Sequence, residues 1–236
     1  MTAAREEILG KISRALKSEA RTGAPRANSV SSSSDDARLA LEVRRRCDVE
    51  RQSLLERFEL ELKNIGVRIH SAATIHSAAG YVEQLVSERG AKTVVASSDD
   101  VVESLSLATI LERHKVRYVT EAVDSEFHSI ASEAGIGVSG IDYALADTGT
   151  LVLLTGKGRA RSISLLPPVH IAIAKPDQIV SDIDDLFALV RFDRNNKQLA
   201  SAVTFITGPS RTADIELTLV IGVHGPQELH VVIVED

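Results

Sequence analysis

The chain has 236 residues, 44% of them hydrophobic, and a formal net charge of −6. That balance suits one α/β domain with extensions and argues against general nucleic-acid binding. Aromatics are scarce (five Phe, three Tyr, no Trp), so no base-stacking platform is expected and the core must be Val, Ile, Leu and Ala. Cys47 is the single cysteine, which excludes an intramolecular disulfide and any iron–sulfur cluster held by cysteines of this chain alone.

Taken in chain order, residues 3–17 place Ile8, Leu9, Ile12 and Leu16 at helical spacing, an amphipathic helix. Its mixed charges rule out a signal peptide. A Ser-rich stretch with Gly and Pro follows at 17–36 and reads as a flexible linker. The leading helix must cover its apolar stripe, and three partners suit it: another protein, a sister subunit in a homo-oligomer, or its own domain. The expected organisation is helix plus linker over 1–36 and a single α/β domain over 37–236.

From Asp36 a long helix is predicted to about Asn64, with Val43, Cys47, Leu54, Phe58 and Leu62 on one face and Cys47 as a small buried hydrophobe. Gly66 ends it. Strands at 67–71, 93–97 and 116–120 alternate with helices at 76–89 and 99–113, the pattern of a parallel, doubly wound sheet. The second half (strands within 135–155, 161–175, 201–207, 217–223 and 229–235, one helix near 181–192) reads as antiparallel or mixed. The longest apolar runs, such as VVIV at 231–234, are too short to span a bilayer. A soluble, cytoplasmic protein is expected.

Several motifs invite chemistry. Gly135, Gly137 and Gly140 spell G-x-G-x-x-G, but a helical segment precedes, a strand follows and no acid lies near 155–165, so a dinucleotide fingerprint is rejected. TLVLLTGKGRARSISLLP reads as two strands joined by a turn at Gly156 and Gly158, which gathers Lys157, Arg159 and Arg161 into either a solvated hairpin tip or an electropositive lip. ADTGTL sets Thr148, Gly149 and Thr150 before a buried strand, an ordinary turn or a loop for phosphate or carboxylate. His170, in VHIAIA, reads as a structural strand histidine. His224 precedes Gly-Pro at a strand end. Neither has a zinc-like partner, and no nucleophile-elbow sequence frames Ser210 for a triad with His224 and Asp214. In TGPSRTADIE, the amides of Ser210, Arg211 and Thr212 can open a short helix that holds an anion; alternatively, Ser210 caps and Arg211 pairs with Asp214.

ADTGTLVL, GRARSISLLPPVHIAI, ITGPSRTADIE and LVIGVHGPQELHVVIV together closely resemble the lactate-utilisation protein C family, which carries the LUD domain. The likeness is strongest over 135–236. It implies a three-layer α/β/α domain of the CoA-transferase and ribose-phosphate-isomerase type. It also implies a role in oxidising L-lactate to pyruvate with two iron–sulfur partner proteins. No catalytic residue follows from it, and no covalently bound cofactor is expected. The candidates for holding a small carboxylate or other anion are Thr148, Gly149, Thr150, Arg159, His170, Ser210, Arg211, Thr212, Asp214 and His224. Arg211 or Arg159 would neutralise charge, and hydroxyls and loop amides would donate hydrogen bonds. The rival readings are a nucleotide- or acyl-dependent transferase or ligase on the same fold, and a pure assembly protein docking through residues 3–17.

Overall fold

A computed structural model describes residues 33–121, 126–196, 200, 202–213 and 219–235. The leading helix, nearly all of the linker, and Asp214 lie outside the described residues. Helix α1 (Ser33–Asn64) is followed by β1 (Arg68–Ala72), α2 (Ile75–Arg89), β2 (Thr93–Ala96), α3 (Asp100–Ser104), α4 (Leu107–Arg113) and β3 (Arg117–Thr120). Next come α5 (Phe127–Glu133), β4 (Ile136–Gly140), β5 (Tyr143–Leu145), β6 (Thr150–Leu154), α6 (Ser162–Leu165) and β7 (Val169–Ala174). Strand β8 (Ile179–Val180), α7 (Ile183–Asn196), β9 (Val203–Ile206), β10 (Arg211–Ala213), β11 (Leu219–Ile221) and β12 (Glu228–Val234) complete the described elements.

The large sheet has six strands in the order β1-β12-β7-β4-β2-β3, every pairing parallel. Its strands are apolar on both faces, as a sheet covered on both sides requires. One face packs against α2, α3 and α4 through Val94, Val138, Ile171, Val232, Val82, Val102 and Leu111. The other face is covered by α5 and α6 at the β2–β3 end, through Val95, Val119, Phe127 and Ile163. At the β7–β12 end α1 covers it, through Leu54, Phe58 and Leu62. Phe58 and Leu62 are fully buried, each contributing about 1.5–3 kcal/mol by the area it removes from water. The chain is thus α/β with a mostly parallel central sheet between helices.

The mixed character expected of the second half resolves into two sets. β7 and β12 join the parallel sheet, while β8-β5-β6-β9 form a separate four-stranded sheet. There β5 pairs antiparallel with β6, β6 antiparallel with β9, and β5 parallel with β8. β10 and β11 form an antiparallel hairpin.

Two expectations are corrected. The single helix over 99–113 is two, broken at Leu105–Ser106, where Ser106 takes φ 53°. Leu105 and Leu107 are both buried. Two residues apart on one helix would point them to opposite sides, and the break lets both reach the core. The hairpin over 150–166 is a strand, a turn and the one-turn helix α6. Pro167 and Pro168 cannot donate to a sheet ladder, and α6 buries Ile163 and Ser164 while leaving Leu165 and Leu166 exposed. No helix among the described residues is long and apolar enough to cross a membrane.

Candidate functional site

The order of the large sheet contains one reversal that matters for ligands. After β2 the chain moves outward to β3, whereas after β4 it moves the opposite way, to β7 and β12. The carboxyl ends of β2 and β4 therefore flank a topological switch point, where ligands bind in open α/β sheets. A narrow cleft lies there, with about 20 Å³ of enclosed room and a mouth open to solvent. Ser97 and Asp99 line it from the end of β2, Ser139 and Gly140 from β4, Thr155 and Thr204 from the small sheet, and Arg159, Arg161 and Ser164 from the turn and α6.

Arg159 dominates the site. Its two terminal nitrogens donate to the two carboxylate oxygens of Asp142, each at 2.8 Å, a bidentate fork. Its Nε lies 3.9 Å from Asp99. Burial works against the guanidinium's charge, but the hydrogen bonds to Asp142 and the two nearby carboxylates outweigh it and hold its pKa above the ordinary value. Asp142 also accepts the amide of Leu154 at 2.6 Å, which fixes the carboxylate that fixes the arginine.

The turn carrying Arg159 is not a solvated tip. The carbonyl oxygen of Gly158, a residue at φ 75°, accepts the amide of Ser98 at 2.8 Å. A Cβ there would meet Ser98 Cβ at 3.0 Å, so only glycine lets the turn sit on the loop after β2. Lys157 stays exposed at the apex.

Asp99 is the N-cap of α3, accepting the amide of Val102 at 3.2 Å. It also accepts the Ser97 hydroxyl at 2.6 Å and the Gly140 amide at 3.1 Å. A Cβ on Gly140 would lie 2.5 Å from Asp99 Oδ1. The glycines of G-x-G-x-x-G thus serve close packing along β4, with Gly137 admitting the Ile163 carbonyl of α6. Beneath the cleft, Ser139 Oγ lies 2.9 Å from His170 Nε2. His170 is fully buried; burial, with a smaller contribution from His230, lowers its pKa to about 4. Its ring is therefore neutral near pH 7.

Of the ten residues proposed from the sequence, Arg159 lines the cleft and His170 touches it through Ser139. The others do not converge there. Thr148, Thr150 and Thr207 form a hydroxyl chain, with bonds of 2.8 and 2.9 Å. They sit at the end of β6 remote from Leu154, about 13 Å along the strand. Gly149, at φ 65°, presses against the backbone of Glu61 and Leu62 in α1.

The helix expected to open at Ser210 is instead strand β10, so its amides form no helix N-terminus. Ser210 donates its amide to Pro226, and Thr212 pairs with Val220. Arg211 donates to the carbonyl of Ile65 at 2.5 Å, a cation at the carboxyl end of α1 where the helix dipole favours it. His224 is exposed beyond the hairpin. Ser97, Asp99, Ser139, Gly140 and Asp142 were missed from the sequence. The signal was SSDD (97–100) directly after an apolar strand, but only the strand order puts it beside SGID (139–142).

A LUD domain family model matches residues 55–234. The chain is similar to lactate utilization protein C of Halalkalibacterium halodurans, at 35% identity over 66% of this chain and 68% of that one. The same-named protein of Anoxybacillus flavithermus is 34% identical over 74% and 79%, and that of Bacillus pumilus 30% identical over 80% and 81%. Among solved structures, a DUF162 family protein from Deinococcus radiodurans aligns with 78% of this chain and 98% of its own, with a TM-score of 0.54 and 22% identity. Likeness at that identity speaks for the fold.

Proposed function

The chain belongs to the LUD domain family, among the lactate utilization protein C relatives, and we propose that it acts in lactate utilisation by holding a small carboxylate in the cleft between β2 and β4. The observation that carries this reading is Arg159, a cation fixed by Asp142 at the switch point of the sheet. The guanidinium of Arg161, which also lines the cleft, has no hydrogen-bond or ion-pair partner among the described residues and is free to meet an incoming anion. The hydroxyls of Ser139, Thr155 and Thr204 supply neutral donors around the same space.

Oxidising a 2-hydroxy acid to a 2-oxo acid releases two electrons and two protons, and the electrons need an acceptor. With one cysteine in the chain, this reading assigns electron transfer to two iron–sulfur partner proteins and makes the chain their non-iron–sulfur subunit. Titrating the purified chain with L-lactate and pyruvate by calorimetry tests the binding. Saturable binding that weakens in Arg159→Met supports it; no binding of either acid argues against it. Lactate oxidation that proceeds equally well in the reconstituted system without this chain would sink the subunit role.

The Ser139–His170 contact favours a second reading, a free-standing acyl-dependent transferase with Ser139 as nucleophile and His170 as its base. Turnover of an acyl donor by the chain alone is the outcome that would support it.

A further inference from the structure

The hydroxyls around the cleft differ in where their protons go. Ser97 donates to Asp99, and Ser164 donates to the Arg161 carbonyl at 3.2 Å, so both are spent within the protein. Ser139 meets His170 Nε2, and the direction of that bond depends on which ring nitrogen carries the proton. A neutral imidazole has one N–H. His170 Nδ1 is buried without a hydrogen-bond partner.

Two arrangements follow, and they differ in cost. With the proton on Nδ1, a buried N–H donor is orphaned while Nε2 accepts from Ser139. With the proton on Nε2, the donor has Ser139 as partner and the orphan is a lone pair. For buried backbone groups, orphaned N–H donors are rarer than under-satisfied acceptors, and the same desolvation argument applies to a ring nitrogen. No carboxylate or carbonyl holds Nδ1, as the third member of a nucleophile–base–orienter set would.

We propose that His170 is the Nε2–H tautomer, donates to Ser139 Oγ, and thereby turns the Ser139 hydroxyl proton into the cleft as a hydrogen-bond donor for an oxygen of the bound anion. Ser139 is then a binding residue and His170 its positioning residue. The transferase reading needs the opposite tautomer, because a base must accept the serine proton. The inference rests on the anion-binding reading for what the Ser139 proton meets, but the tautomer does not depend on any ligand.

Long-range nitrogen–proton correlation spectra of the ¹⁵N-histidine-labelled chain read the tautomer directly. The expected result is a protonated Nε2 and a bare Nδ1 for His170, unchanged between pH 8 and pH 6. A protonated Nδ1, or a ring protonated at both nitrogens, overturns the proposal. In a second arm, Ser139→Ala is titrated with L-lactate and is expected to bind about tenfold more weakly, the effect of one lost hydrogen bond to a charged group. Binding unchanged in Ser139→Ala but weakened in Arg159→Met overturns the donor role and leaves the cleft standing. Binding unchanged in both variants removes the cleft reading itself.

Discussion

Lowering the pH from 7.5 to 5 is predicted to destabilise the fold through His170. The ring is fully buried, and its folded pKa is about 4 against an ordinary value of 6.5. The folded state therefore stays neutral while the unfolded chain takes up a proton below pH 6.5. Stability from this group is complete above that value, falls with pH, and is exhausted near pH 4. The gap of about 2.5 units corresponds to about 3 kcal/mol in all, at about 1.4 kcal/mol per unit. Near pH 5.5 the unfolded histidine is about nine-tenths protonated and the folded one nearly bare, so the slope is about 1 kcal/mol per pH unit.

Urea unfolding from pH 5 to 7.5, for the wild type and His170→Asn, isolates the effect. His230, whose pKa burial also lowers, and the carboxylates contribute to both curves, so the difference of slopes belongs to His170. The variant is expected to be less stable at pH 7.5 but to lose about 1 kcal/mol per pH unit less near pH 5.5. Parallel curves would refute the reasoning, because they would mean that His170 carries the same charge in both states.

Gly137→Ala should cost about 2–3 kcal/mol in urea unfolding, because the new Cβ would lie 2.0 Å from the backbone oxygen of Ile163 and α6 would have to lift from the sheet. Arg211→Ala should lower stability by about 1 kcal/mol, through the lost bond to the end of α1, and leave the affinity for carboxylates as it was. A loss of carboxylate binding in Arg211→Ala would return the hairpin to candidacy.

The alternation of apolar runs and helical faces made β1, β2 and β3 legible as parallel strands, whereas β4, β7 and β12, in the half expected to be antiparallel or mixed, joined the same parallel sheet. The small sheet was harder. β5 has three residues and β8 beside it has two, and no local pattern tells which sheet a short strand joins. The candidate site was half legible. Arg159 stood out as a cation among glycines in an acidic chain, but its partner Asp142 lies 17 residues away, across a turn misread as a hairpin. Asp99 caps α3. Its second task, beside Gly140 and Arg159, depends on β4 crossing back beside β2, which no spacing in the sequence announces. Arg211 drew attention by its company, Gly, Pro, Ser and Thr, when its physical role is to satisfy a carbonyl at the end of α1.

The central claim is that the cleft between β2 and β4 holds a small carboxylate through Arg159. Amide chemical-shift mapping of the folded chain with L-lactate, run in parallel on the wild type and Arg159→Met, tests it most directly. The account predicts shifts centred on Ser97, Ser139, Gly140 and Ala160 in the wild type, and affinity at least tenfold weaker in the variant. Shifts centred instead on Thr148–Thr150 or the Arg211 hairpin, with equal affinity in the two proteins, would contradict it.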